Sequence, residues 1–168
     1  GDIIINGETQ TFRGISDSEE VGVGIIYQEL ALFPELTVYE NIFVGHEISK
    51  TFKIDWNETI KKTSEILNKV RLDVNPETKI RSLGVGKQQL VEIAKTLSRD
   101  VKLLILDEPT SALNEDDVEN LFDLLRDLKN HGVTCIMISH KLNEVIDLAD
   151  SVTVLRDGKT ICTLDAHK

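Results

Sequence analysis

The chain has 168 residues, 40% of them hydrophobic, and 19 basic against 29 acidic side chains leave a net charge of −10. That length suits one domain and that apolar content suits a packed core, which sets aside disorder. The acidic balance argues against binding free nucleic acid through a basic face, and the longest strictly apolar stretches, 103–106 and 135–138, are too short to span a membrane. The first residues lack the basic start and long apolar run of a secretion signal, so an intracellular protein is expected. Cys135 and Cys162 lie in apolar β-like segments with no Cys or His at metal-ligand spacing, and are expected as buried free thiols.

Residues 2–13 alternate short β-like runs about Asn6-Gly7, a two-residue hairpin signal, so an antiparallel ribbon comes first. Residues 16–20 have the small polar start and early acids of a short helix, after which 21–26 turn β-like and end at Tyr27-Gln28. Gly22 and Gly24 form no G-x-G-x-x-G fingerprint, because position 27 is Tyr, and read as close-packing or turn glycines. From Glu29 the character changes. Thr37-Val38-Tyr39-Glu40 is a capping box, and Asp55 with Glu58 opens an amphipathic helix carrying Trp56, Ile60, Thr63, Leu67 and Val70 on one face. About 33–85 therefore reads as a mostly helical insert. A further helix is predicted from about Lys87 through Leu90, Ile93, Ala94 and Leu97. Strand, helix, strand, helix and strand then alternate over 102–106, 118–128, 133–138, Leu142–Leu148 and 151–155, the pattern of a parallel sheet with covering helices. Asp157-Gly158 is a last hairpin turn, giving Ser151–Arg156 an antiparallel partner over 160–164.

Residues 103–106 are apolar at every position, so this strand is expected to be buried on both faces, and its first polar side chains are Asp107 and Glu108 at the carboxyl end. Open α/β sheets bind ligands there. Adjacent acids leaving a strand point in different directions, so one can serve a magnesium ion and the other a water, the two carboxylate roles of phosphoryl transfer. Taken alone, the pair is more often just the opening of a loop, here before Pro109.

The run Leu106-Asp107-Glu108-Pro109-Thr110-Ser111-Ala112-Leu113 resembles the Walker B and D-loop segment of ATP-binding cassette (ABC) ATPases. Other motifs follow in the family's order. Gln28 before Glu29-Leu30-Ala31-Leu32-Phe33-Pro34 resembles the Q-loop, Leu83-Gly84-Val85-Gly86-Lys87-Gln88-Gln89 the signature loop, and His140 after Ile136-Met137-Ile138-Ser139 the switch histidine. Each has a physical sense. A glutamine amide oxygen serves a metal or a water at the hinge into the insert, a glycine-rich helix start presents free N–H groups to an anion, and an imidazole at the Asp107 edge can bond a terminal phosphate. His46, His131 and His167 fall outside the motifs and are expected on the surface. The runs Ile25-Ile26-Tyr27-Gln28-Glu29-Leu30, Thr37-Val38-Tyr39-Glu40-Asn41-Ile42-Phe43-Val44-Gly45 and Gln88-Gln89-Leu90-Val91-Glu92-Ile93-Ala94-Lys95 are more similar still to the amino-terminal nucleotide-binding half of bacterial monosaccharide importers of the ribose, galactose and xylose type. Related nucleoside importers use similar wording.

The resemblance implies a P-loop NTPase-like α/β fold with a parallel core sheet, an antiparallel β edge and a helical insert over about 33–85, with 1–168 as one domain. It implies an ATPase that energises sugar uptake, with ATP and Mg2+ as cofactors. Glu108 would be the general base, Asp107 would hold magnesium, Gln28 would join metal to water and His140 would hold the γ-phosphate. Gly84, Val85, Gly86, Lys87 and Asn114 would complete the ATP site of a second nucleotide-binding domain. The other partners implied are membrane permease subunits and, indirectly, a substrate-binding protein, at the cytoplasmic face of the cell membrane; nucleic acid is not implied. Gly84 stands where the family has serine, Asn114 where many members have Asp, and no G-x-x-x-x-G-K-[ST] occurs in the 168 residues, so a chain truncated at its amino terminus is expected. Two rivals carry different functions. A soluble ABC ATPase of DNA repair would need a long coiled coil between Gln28 and Gly84, and one of translation would be basic. A non-catalytic interaction module would have no use for an intact Asp107, Glu108 and His140.

Overall fold

A computed structural model describes residues 1–50 and 53–166. Strands β1 (Ile3–Ile5) and β2 (Glu8–Gln10) pair antiparallel with Ile3 opposite Gln10, and Asn6 and Gly7, with φ of 53° and 83°, make the predicted tight turn. The short helix α1 (Ile15–Glu20) leads into β3 (Val23–Ile26). Helix α2 (Val38–Phe43) opens on the capping box: Glu40 N–H donates to Thr37 Oγ1 and Thr37 N–H donates to Glu40 Oε2, which holds the Glu40 carboxyl below the usual carboxylate range. A pair of two-residue strands follows, β4 (Ser49–Lys50) and β5 (Lys53–Ile54), which no alternation in the sequence announces. Helix α3 (Trp56–Lys69) starts at Asp55, whose carboxylate accepts the Glu58 N–H, and buries Thr59, Thr63 and Leu67. A 3-10 turn at Ile80–Ser82 precedes α4 (Val85–Leu97).

The rest follows the predicted order: β6 (Leu103–Asp107), α5 (Glu115–Asn130), β7 (Thr134–Ile138), α6 (Leu142–Leu148), β8 (Ser151–Arg156) and β9 (Lys159–Asp165). The core sheet is parallel, in the order β3-β6-β7, with Ile26 beside Leu106 and Asp107 beside Ile138. This register sends the residues after each strand out along one edge. Beneath the sheet, Ile26, Leu104 and Leu106 share one buried cluster with Val91, Ile93 and Ala94 of α4, Leu121, Leu124 and Leu125 of α5, and Val38 and Ile42 of α2.

Four expectations are corrected. Strand β6 is not buried on both faces: Leu104 and Leu106 are buried while Leu103 and Ile105 are half-buried, and on β7 Ile136 and Ile138 are 48% and 51% exposed, because the helices of the cluster cover one face only. Strand β8 does not extend the parallel sheet. Among the described residues it pairs with β9 alone, and the crossover helix α6 packs on the core only through the half-buried Leu148, a thin layer beside β7. The cysteines are free but half-buried, and burial pushes the Cys135 thiol up. His131 is exposed as expected and His167 lies outside the described residues, whereas His46 is half-buried.

Candidate functional site at the carboxyl edge of the sheet

Three loops meet at the carboxyl edge. The strands β3, β6 and β7 end in step, so Gln28, Asp107-Glu108 and His140 leave the sheet side by side. Glu108 takes a φ of 45°, a left-handed conformation that side-chain-bearing residues adopt at a cost and that recurs at functional sites. Its N–H donates to Ile138 O at 2.9 Å, which stitches the β6 exit to the β7 exit. Across that stitch His140 Nδ1 lies 3.0 Å from Glu108 Oε1. Asp107 is half-buried beside this pair, whereas Gln28 is exposed and makes no hydrogen bond to it.

The remaining predicted residues form a second site. Gly84, Val85, Gly86, Lys87 and Asn114 line one open cavity of about 420 Å³ together with Ser82, Leu83, Ala112 and Asp117. Neither Glu108 nor His140 reaches it. No side chain caps the start of α4, so its first N–H groups face this cavity unpaired with any cap. Asn114 is engaged elsewhere as well, because its Oδ1 accepts the Asp117 N–H at 2.9 Å and starts α5. The Asp117 carboxylate lies so close to Gly86 that a Cβ there would collide with it.

Several residues of the site escaped the sequence reading. Asn41 of α2 is buried and brackets the Phe33 peptide, with Oδ1 accepting from Phe33 N–H at 2.7 Å and Nδ2 donating to Phe33 O at 3.0 Å. On α4, Lys95 Nζ donates to Ala31 O at 2.9 Å while the Glu92 carboxylate accepts the Ala31 N–H. The segment after Gln28 is thus held from two helices. Glu92 is buried, its Oε2 has no partner, and burial pushes its carboxyl up. Its signals were a charge in an otherwise apolar stretch, Leu90-Val91-Glu92-Ile93-Ala94, and a place in the Gln88–Lys95 run that resembles the importers, neither of which assigned it a role. Thr110, Lys141 and Glu144 join the β6 and β7 loops; Thr110 lay inside the Leu106–Leu113 motif without a role of its own, and Lys141 and Glu144 carried no signal beyond their i, i+3 pairing.

The family model for ABC transporters matches residues 1–111 of the chain. The chain belongs to the ABC transporter family. It is 60% identical over 165 residues to the L-arabinose transport ATP-binding protein AraG of Geobacillus stearothermophilus, and 58% identical over 163 residues to the xylose import ATP-binding protein XylG of Thermoanaerobacter pseudethanolicus. These alignments cover 98% and 97% of the chain but 32% of each relative, so this cassette spans about a third of their length. Among solved structures it resembles a nucleotide-free ATP-binding cassette from an ABC transporter, with a TM-score of 0.85 at 22% identity over 98% of this chain and 69% of that one. It also resembles a dimeric cassette in a post-hydrolysis state bound to ADP and phosphate, with a TM-score of 0.81 at 23% identity over 99% and 73% of the two chains. The cassette therefore has the ABC ATPase fold, a parallel core sheet with antiparallel strands beside it.

Proposed function

We propose that this cassette is the nucleotide-hydrolysing part of the ATP-binding subunit of an importer that energises sugar uptake. The observation that carries the reading is the Glu108–His140 contact at 3.0 Å, beside Asp107, at the carboxyl edge of the core sheet. The kinship to arabinose and xylose import subunits supports a monosaccharide as the solute.

The residues fit the groups such a reaction needs. A magnesium ion binds one or two carboxylates and keeps waters and phosphate oxygens for the rest of its shell, a donor set that Asp107 and the Gln28 amide oxygen match. Bound Mg2+-ATP supplies the transferable phosphoryl group and the neutralising charge. Glu108 takes the proton of the attacking water, and its left-handed backbone aims the carboxylate across to the β7 loop instead of along the strand. His140 donates Nδ1–H to Glu108, and with both ring nitrogens protonated it donates Nε2–H to a phosphate oxygen, so one side chain aligns base and substrate. The cavity at the start of α4 takes the terminal phosphate of ATP carried by a second nucleotide-binding domain, where backbone N–H groups and Lys87 offset the anion's desolvation and Gly84 contributes no hydroxyl.

Residues 33–85 act as the helical subdomain that meets membrane permease subunits. Phe33 is 51% exposed, and Leu36, Tyr39, Phe43 and Trp56 line a cavity of about 160 Å³ between α2 and α3 together with Glu40 and Glu47, with Tyr39 and Trp56 packed edge to face. No helix among the described residues is long and apolar enough to cross a membrane. We place the subunit at the cytoplasmic face, held by that docking surface, with the solute-binding protein reached only through the permease. The test is Glu108→Gln in a full-length subunit carrying this segment: turnover drops at least about 100-fold while ATP binding stays, because a general base contributes 10²–10⁴-fold. Hydrolysis within about tenfold of wild type would remove Glu108 from the role.

A further inference from the structure

His140 presents a mechanical problem. Its side chain is 69% exposed and touches Glu108 through one ring nitrogen, so nothing packs the imidazole into place. An exposed side chain on a loop moves among rotamers unless its backbone is held. The residues on either side of it are held. Lys141 N–H donates to Ser139 Oγ at 3.1 Å, and Lys141 Nζ donates to Thr110 O at 3.1 Å. Thr110 is 2% exposed, and its hydroxyl donates to Glu144 Oε2 at 2.6 Å. The other Glu144 oxygen, Oε1, meets Lys141 Nζ at 3.1 Å, closing a ring of three residues through the Thr110 carbonyl.

We propose that Lys141 and Glu144 are positioning residues: by gripping Thr110 from both its carbonyl and its hydroxyl, they lock the His140 loop to the Glu108 loop and set the approach of imidazole to carboxylate. The catalytic meaning rests on the function proposed above, while the mechanical link rests on the contacts alone. The chemistry suits a fixed joint. Both Glu144 oxygens are used, the lysine charge is matched by a carboxylate that is itself largely shielded from water, and a buried threonine offers one donor and one acceptor on the same residue. The joint is also placed where it acts on the pair, because Thr110 follows Glu108 by two residues and Lys141 follows His140 by one. Helix α6 buries no residue, so these contacts, with Ser139, are what anchor its first turn among the described residues.

Two measurements test this. The first is steady-state ATPase kinetics of a full-length subunit carrying the segment, with Glu144→Ala, Glu144→Gln, His140→Ala and the double variant of Glu144→Ala with His140→Ala. Glu144→Ala should lower kcat at least tenfold with KM for ATP within twofold of wild type, and Glu144→Gln, whose amide oxygen still accepts from Thr110, should recover most of it. On the His140→Ala background Glu144→Ala should cost less than a further twofold. Losses that multiply, or an unchanged kcat, overturn the proposal even if His140→Ala itself is slow. If His140→Ala and Glu108→Gln leave hydrolysis intact, the functional reading fails and the second measurement decides the joint by itself. In this 168-residue chain, Glu144→Ala should speed amide hydrogen exchange at 106–113 at least tenfold while 56–69 keeps its protection. Unchanged exchange at 106–113, or loss of protection throughout, overturns it.

Discussion

Glu108 and His46 show how single residues depart from their surroundings for different reasons. A left-handed backbone at a glutamate costs about 1–3 kcal/mol, and the stitch from its N–H to Ile138 O is what holds it there. His46 has no part in the site. Its ring leans on Phe43 with centroids 5.4 Å apart and reaches Val44 O at 3.2 Å and Ser98 Oγ at 3.1 Å. Burial, and then the nearby Arg99 guanidinium, hold its pKa below the ordinary 6.5. The folded chain therefore keeps His46 neutral where the unfolded chain takes a proton. Its contribution to stability is complete above about pH 6.5 and is lost as the pH falls through the lower folded value. In urea unfolding of this chain, the stability gap between wild type and His46→Gln should narrow from pH 7 to pH 5. A gap that stays constant would place the destabilisation in packing alone.

Strand β3 meets the α4 helix with little tolerance. Where β3 passes beneath it, a Cβ on Gly24 would collide with Thr96 Cγ2 and lie 3.3 Å from Val101 Cγ2, so the strand can sit this close only as glycine. Gly24→Ala should destabilise the chain by about 1–3 kcal/mol, and adding Thr96→Ser, which removes that methyl, should restore part of the loss. Chemical denaturation of the three variants gives the answer directly. At the other end, the insert presents Phe33 to solvent while Asn41 ties its peptide to α2. A charge placed there changes the surface without touching the core. Phe33→Glu in an assembled importer should cut solute uptake at least tenfold, with Tm and basal ATPase near wild type; uptake that persists would remove this face from permease docking.

At the scale of the molecule, the acidic balance and the separation of the Gly84 cavity from the Glu108–His140 pair have a joint consequence. ATP bound to this chain alone would meet Asp107 and Glu108 without a row of backbone N–H donors for its α- and β-phosphates, because no G-x-x-x-x-G-K-[ST] occurs in the 168 residues. The Gly84 cavity lies apart from those acids and carries the Asp117 carboxylate in its wall. Calorimetry on the chain with ATP and magnesium should find no micromolar binding. A micromolar Kd in a homogeneous sample would require another phosphate cradle.

Local rules were enough for most of the elements. The Asn6-Gly7 and Asp157-Gly158 turns, the Thr37–Glu40 box, the Asp55 cap and the bounds of Leu142–Leu148 depend on residues a few positions apart, and physics at that range is written in the chain. Gln28, Asp107, Glu108 and His140 could be singled out through their likeness to family motifs, and parallel register brings Asp107, which closes β6, together with the residues that follow the strands. Tertiary packing alone decided the rest. It uncovered one face of β6, paired β8 with β9 only, half-buried His46, and chose Asn41, Glu92, Lys95, Thr110 and Glu144 as the residues that fasten one loop to another. Those choices turn on which helix covers which face and on contacts between residues such as Thr110 and Glu144, 34 positions apart, and no periodicity or cap encodes a bond across such a distance.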